Sequence, residues 1–223
     1  MIKIAIDGPS GAGKSSLAKR IAKELNIIYI DTGALSRSVG LWVCRKGIAV
    51  DDTAAIIASL DKIKVELGFD SNGGQRVYLC GEDVSELIRT PEIAKYASAV
   101  SAIAEVRALL FEMQREIADK NSVVMDGRDI GTVILPDADV KIFLSASDVA
   151  RAQRRCKELR EKGEECSVED ILNAMKERDR RDSTREIAPA VAAADAVLLD
   201  NSELDFEASV QAALDIIKSK TEK

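Results

Sequence analysis

Residues 8–15 read Gly-Pro-Ser-Gly-Ala-Gly-Lys-Ser, and no other stretch limits so sharply what this chain can fold into. Glycine tolerates the positive-φ conformations that turn successive backbone N–H groups toward one side, and such a turn makes a concave nest for an anion. The octapeptide matches G-x-x-x-x-G-K-[ST] at every fixed position. That pattern has physical meaning only between a strand and a helix, and both flanks comply. Ile2 to Ile6 is an apolar run broken only by Lys3 and ended by Asp7-Gly8-Pro9, which predicts a short buried strand. Leu17, Ala18, Ile21 and Leu25 recur at helical spacing, which predicts a helix over 14–25. The helix adds its positive end to the nest. Gly8, Pro9, Ser10, Gly11, Ala12, Gly13, Lys14, Ser15 and Ser16 are therefore the candidate contacts to ATP. Lys14 is placed to reach the β and γ phosphates, and the Ser15 hydroxyl to meet Mg²⁺, directly or through water.

The rest of the chain alternates. Ile27 to Ile30 predicts a second strand, and strand–turn–helix–strand is a βαβ unit that implies a parallel sheet. Further strands are predicted over 122–125, 140–144 and 196–199. Helices are predicted from Thr90-Pro91 to about Lys120, over 147–162 with Lys162-Gly163 as the stop signal, over 168–181 and over 205–218. One stretch breaks the pattern. Val65, Leu67 and Phe69 alternate before Ser71-Asn72-Gly73-Gly74, and Val77 and Leu79 after it, which predicts an antiparallel hairpin inserted into the α/β order. The expected architecture is α/β: a P-loop NTPase core with a five-stranded parallel sheet flanked by helices, a small hairpin insert and a helical lid. Within one domain over 1–223, the core covers about 1–36, 85–150 and 186–223, the acceptor region and insert about 37–84, and the lid about 151–185.

Composition removes several classes of function. Net charge is −6, from 32 basic and 38 acidic side chains, which disfavours a nucleic-acid binder. Yet eight of the sixteen arginines lie between Arg151 and Arg185, a local cluster suited to a small polyanion. There is no histidine, so Ser-His-Asp and Cys-His chemistry are excluded. Cys44, Cys80, Cys156 and Cys166 form no CxxC pair and are expected to be reduced thiols. No apolar run has the length of a membrane span and the N-terminus has no secretory pattern, so a cytoplasmic location is expected.

A phosphate loop alone does not separate a kinase from a GTPase switch or a motor ATPase. The N-K-x-D motif that reads guanine is absent, and large ATPases exceed this length. A small kinase fits best, and it needs an acceptor site. Asp31-Thr32-Gly33-Ala34-Leu35-Ser36-Arg37 and Asp126-Gly127-Arg128-Asp129-Ile130-Gly131-Thr132 each follow a predicted strand, where ligands of open parallel sheets sit. Glu177 to Arg185 is a third charged cluster. Asp31 also suits the cap of a helix starting near Ala34. Arg151, Arg154 and Arg155 share one helical face, which suits either a ligand or solvent. Phosphorylation of another nucleotide or a small metabolite, and a non-catalytic nucleotide-binding module, remain open at this point.

Taken together, the segments IDGPSGAGKSS, DTGALSR, GEDVSELIRTPE, DGRDIGTVILPDADVKIFLSAS, RAQRR and ERDRRDSTREIAPAVAAADAVLLDNS resemble the bacterial cytidylate kinase family over nearly the whole chain. The resemblance implies transfer of the γ-phosphoryl group of ATP to CMP or dCMP, with Mg²⁺, by a monomer that needs neither nucleic acid nor membrane. It implies that Arg37, Arg128 and Arg185 hold the acceptor phosphate, that Ser98, Arg107 and Asp129 read cytosine, and that Arg178 and Asp182 hold the ribose. Thr32 joins the acceptor contacts. Arg151, Arg154 and Arg155 match a lid over the phosphates, and Lys14, Arg128, Arg185 and Arg154 are the expected catalytic groups. Cytosine offers an amine donor and two acceptors, which a carboxylate, a hydroxyl and a guanidinium complement. The chain departs from the family in having Ser36 where tyrosine is usual, and Pro189-Ala190 where Pro-Leu is usual.

Overall fold

The computed structural model describes residues 1–70, 74–161 and 163–222. In chain order the regular elements are β1 (Lys3–Asp7), α1 (Lys14–Leu25), β2 (Ile28–Asp31), α2 (Thr32–Arg45), α3 (Thr53–Ile57), β3 (Val65–Phe69), β4 (Gln75–Leu79), β5 (Glu82–Asp83), α4 (Pro91–Val100), α5 (Ala104–Lys120), β6 (Val123–Gly127), β7 (Val140–Ser145), α6 (Asp148–Glu161), α7 (Val168–Thr184), β8 (Val197–Asp200) and α8 (Phe206–Thr221). The five core strands form one sheet in the order β2-β6-β1-β7-β8. β1 lies at its centre, parallel to β6 on one side and β7 on the other. The expected five-stranded α/β core is what the chain forms.

Packing divides the chain into two compact units, residues 1–29 with 121–223 and residues 30–120. Each has its own apolar centre. In the first, Ile4, Ile6, Leu17, Ile21, Val124, Ile142, Leu144, Val210 and Ile217 are buried together. Strand residues buried on both faces explain why β1 and β6 read as apolar runs without alternation. In the second, Leu35, Val39, Val43, Ile56, Val77, Leu79, Ile88, Val100, Val106 and Leu110 form a separate cluster.

Three local findings differ from the sequence reading. The hairpin gains a third strand, giving the order β3-β4-β5, and its turn residues 71–73 lie outside the described residues. The single helix expected from 90 to 120 is two, α4 and α5, parted at residues 101–103. Ser101 ends α4: its Oγ donates to the Ala97 carbonyl at 2.6 Å, and the break turns Ile103 into the core. A serine bonding back to a carbonyl four residues earlier competes with helix propagation. The four thiols are not all free. Cys156 on α6 and Cys166 just before α7 form a disulfide, with Cα atoms 5.9 Å apart, leaving Cys44 and Cys80 as free thiols. Helices α6 and α7 pack on one another, which brings together cysteines ten residues apart that no CxxC spacing announces.

Within the second unit, α2 and α4 cross at Gly40. A Cβ there would lie 2.8 Å from the Ala97 backbone nitrogen. Backbone cannot yield as a flexible side chain can, so Gly40→Ala is expected to cost about 1–3 kcal/mol. Equilibrium denaturation should show a lowered midpoint; an unchanged midpoint would mean that the helices separate freely.

Candidate active site

The phosphate loop begins where β1 ends. Gly8 runs so close to β7 that a Cβ would lie 2.0 Å from the Leu144 carbonyl oxygen, so only glycine fits. Gly13 caps α1 in the left-handed region at φ +90°, and the first turn of α1 opens toward the loop. Lys14 is buried and its Nζ donates to the Pro9 carbonyl at 2.7 Å. Burial and the nearby Arg128 and Arg178 charges hold its ammonium well below the usual lysine range, against the opposing pull of Asp126 and Asp7. A cation so poorly compensated is poised to accept phosphate oxygens. Ser15 Oγ donates to Asp126 Oδ2 at 2.7 Å, and the Tyr29 hydroxyl donates to Asp126 Oδ1 at 2.8 Å. Asp126 opens the second polar segment singled out in the sequence, but the sequence reading assigned it no role of its own. The available signal was an apolar strand ending in aspartate, which in phosphate-loop proteins carries the carboxylate that holds Mg²⁺.

On the same unit, β6 delivers Arg128 and Asp129. Arg128 Nε lies 3.1 Å from Asp182 Oδ2, and Arg178 Nε lies 3.9 Å from the same oxygen. Arg185 NH2 lies 3.4 Å from Asp129 Oδ1, and its Nε donates to the Ala188 carbonyl at 2.5 Å. These five side chains come from two segments far apart in sequence, and each cation rests against a carboxylate. Asp129 leads into a π-helical turn over Ile130–Ile134, a distortion frequent at functional sites.

The 30–120 unit carries the remaining candidates. Asp31 caps α2, accepting from the Ala34 amide at 2.9 Å, and also accepts from Arg37 NH2 at 2.8 Å. The capping reading and the site reading of this segment thus hold together. Arg37 Nε is buried and faces no hydrogen-bond acceptor among the described residues. Thr32 opens α2 and is half-buried. Gln75 of the insert accepts from the Asp31 amide at 2.8 Å, so the insert braces the start of α2. Ser98 and Arg107, both half-buried, lie on different helices, α4 and α5.

The three arginines of α6 take separate partners despite sharing a face. Arg151 is only 3% exposed; it donates to the Ser10 carbonyl at 2.6 Å and to Asp179, whose Oδ1 accepts from the Ser10 amide at 3.0 Å. It braces the phosphate loop rather than projecting toward a ligand. Arg154 donates to Asn201 Oδ1 at 3.0 Å and to the Asn201 carbonyl at 2.7 Å, while Asn201 Nδ2 donates to the Ala12 carbonyl. Arg155 pairs with Glu158 at the surface. Asp179 and Asn201 are further residues that spacing alone did not single out.

The sequence profile described as cytidylate kinase matches residues 4–219. The chain belongs to the cytidylate kinase family. The cytidylate kinase of Caldicellulosiruptor bescii is 46% identical over 215 residues, covering 96% of this chain and 95% of that protein. That of Caldanaerobacter subterraneus subsp. tengcongensis is 47% identical over 220 residues, covering 99% and 96%. A gluconokinase structure from Sinorhizobium meliloti superimposes with a TM-score of 0.52 at 16% identity, covering 99% of this chain and 94% of that one, a likeness of fold. No helix among the described residues is long and apolar enough to cross a membrane.

Asp7 is buried at the end of β1, and burial pushes its carboxyl from 3.8 up to about 6, despite two backbone hydrogen bonds that pull the other way. Its folded-state value lies above the unfolded one, so ionisation opposes folding. The penalty is absent below about pH 4, grows through pH 6, and reaches roughly 3 kcal/mol at most. Without nucleotides, the stability of Asp7→Asn relative to the parent should therefore fall from pH 7.5 toward pH 5, on top of a pH-independent cost for the hydrogen bond that asparagine cannot accept. Thermal melts across that range check the sign; a relative stability that grows on acidification would refute it.

Proposed function

We propose that the protein transfers the γ-phosphoryl group of ATP to CMP, with dCMP as an additional acceptor, giving CDP or dCDP and ADP. The observation that carries this reading is the set of self-paired guanidinium groups beside the phosphate loop: Arg128 with Asp182, and Arg185 with Asp129. Partly buried arginines gain from counter-charge. A dianionic phosphate supplies it better than a carboxylate, through bidentate contacts. Binding of the acceptor then exchanges one partner for another instead of burying new charge.

The phosphate-loop amides over 8–16 hold the β and γ phosphates, and Lys14 moves from the Pro9 carbonyl onto them. Arg37, Arg128 and Arg185 grip the acceptor phosphate. Arg178 and Asp182 hold the ribose, and Thr32 adds a hydroxyl. Asp129 accepts from the cytosine amine, while Ser98 and Arg107 satisfy its acceptors. Uracil turns a carbonyl toward the Asp129 carboxylate, a mismatch that buried sites reject strongly. Arg154 acts from the Asn201 loop on the donor side. An acceptor phosphate oxygen is already anionic, so alignment and charge stabilisation suffice without a general base. Helices α6 and α7 keep water from the γ-phosphoryl group.

Ser15 and Asp126 present a hydroxyl and a carboxylate, hard oxygen donors that fit Mg²⁺ in company with phosphate oxygens and water. Bound there, Mg²⁺ neutralises charge on the β and γ phosphates. No cluster of three or more His, Cys, Asp or Glu side chains that could hold a metal occurs among the described residues. The protein acts as a monomer in the cytoplasm.

Formation of ADP from ATP with CMP, dCMP, UMP, AMP and GMP in turn tests the assignment. CMP should be the best acceptor; equal rates with every acceptor, or ATP hydrolysis indifferent to all of them, would overturn it. Lys14→Ala should lower turnover by at least about a hundredfold with the fold retained. Asp129→Asn should narrow the CMP-over-UMP ratio, and an unchanged ratio would remove this residue from base reading.

A further inference from the structure

Asp7 is the last residue of β1 and stands directly before the phosphate loop. Its two carboxylate oxygens take two successive amides: Oδ1 accepts from Ile130 at 2.8 Å and Oδ2 from Gly131 at 2.7 Å. Its backbone pairs in register with Gly127. Arg128 and Asp129 therefore occupy a short bridge between two anchors that one residue provides, a strand pairing before them and a side-chain clamp after them. The clamp also starts the π-helical turn, in which the Asp129 carbonyl accepts from Val133 at 2.9 Å and Ile134 at 3.2 Å. Gly131 packs against Lys141, whose Cδ would lie 3.1 Å from an added Cβ, and sits at ordinary contact distance from Asp7 Oδ2.

We propose that Asp7 is a positioning residue for acceptor recognition, holding the Arg128–Asp129 bridge in the register that reads the nucleoside monophosphate. The proposal rests on the acceptor roles assigned above to Arg128 and Asp129. A buried carboxylate at the end of a central strand is an expensive way to secure a loop if stability alone is the gain. An apolar side chain would pack there at lower cost, but it could not fork two backbone donors. Burial also pushes the Asp7 carboxyl up to about 6, in keeping with a group retained for geometry at the expense of stability. Asparagine preserves the shape but turns an amine toward one of the two N–H groups, so it should loosen one anchor.

Steady-state kinetics of Asp7→Asn, with CMP, UMP and ATP varied separately, test this. The expected result is a KM for CMP raised about tenfold and a reduced CMP-over-UMP preference, with the KM for ATP within about twofold of the parent. Unchanged acceptor constants would overturn the proposal. A fall in kcat alone would also overturn it, because Asp7 would then act through Lys14. So would a joint rise of both KM values with a lowered melting point, the mark of general loosening. Asp129→Asn measured alongside separates the two readings. If it relaxes base preference while Asp7→Asn does not, the positioning role fails. If Asp7→Asn alters the acceptor KM while Asp129→Asn leaves base preference intact, base reading by Asp129 fails instead. Should Asp7→Asn not fold, Asp7→Ser, which keeps one acceptor oxygen for the two amides, decides: the same acceptor-specific rise supports the proposal, and parent-like constants overturn it.

Discussion

The first turn after β1 has to run against β7 closely enough that no side chain fits between them. That constraint, met by Gly8 beside the Leu144 carbonyl, fixes where the phosphate loop starts and where α1 points. From it follow the placement of Lys14 inside the loop and of Ser15 beside Asp126. β1 is also the central strand, so the same turn sits next to β6 and the loop that β6 delivers. Donor and acceptor functions on this unit are neighbours because two adjacent parallel strands end at the same edge.

Charge governs the rest of that edge. Lys14, Arg128, Arg178 and Arg185 stand near one another, and Asp126, Asp129 and Asp182 offset the repulsion among them. Neither set is optimal for stability. The lysine is held below its usual range and Asp7 above its own, so both are displaced toward their neutral forms. The apolar clusters of the two units offset such costs, which is why strands as short as β1 are buried almost completely.

Much of this was legible in the sequence, because phosphate-loop spacing and apolar strand runs are local signals. Lys14, Ser15 and the five core strands followed from them directly. The residues left without a role of their own are those whose meaning depends on a distant partner. Asp126 acquires its role from Ser15 and Tyr29, Asp179 from the Ser10 amide, and Asn201 from Arg154 and Ala12. The pairing of Cys156 with Cys166 depends likewise on how α6 and α7 pack. The break between α4 and α5 escaped for a related reason. Ser-Ala-Ile is compatible with a helix, and the burial of Ile103 that accompanies the break depends on distant packing that local sequence does not announce. For Ser98 and Arg107, helical periodicity offers nothing that distinguishes a contact from a surface residue, so only the family resemblance singles them out.

Helical periodicity also misleads about the arginines of α6. Positions 151, 154 and 155 share a face, and a common face invites a common role. Side-chain length and the surrounding backbone decide otherwise. Arg151 is buried deeply enough to reach the Ser10 carbonyl and Asp179 together, tying α6 and α7 to the tip of the phosphate loop. Arg154, one turn on, reaches the loop after β8, and Arg155 stays with Glu158 in solvent. Asp179 occupies the Ser10 amide, one of the donors that the nest offers to phosphate. Helix α7, which carries Arg178 and Asp182, is thereby tied through Asp179 to the phosphate loop, so both segments bear on one connected set of hydrogen bonds.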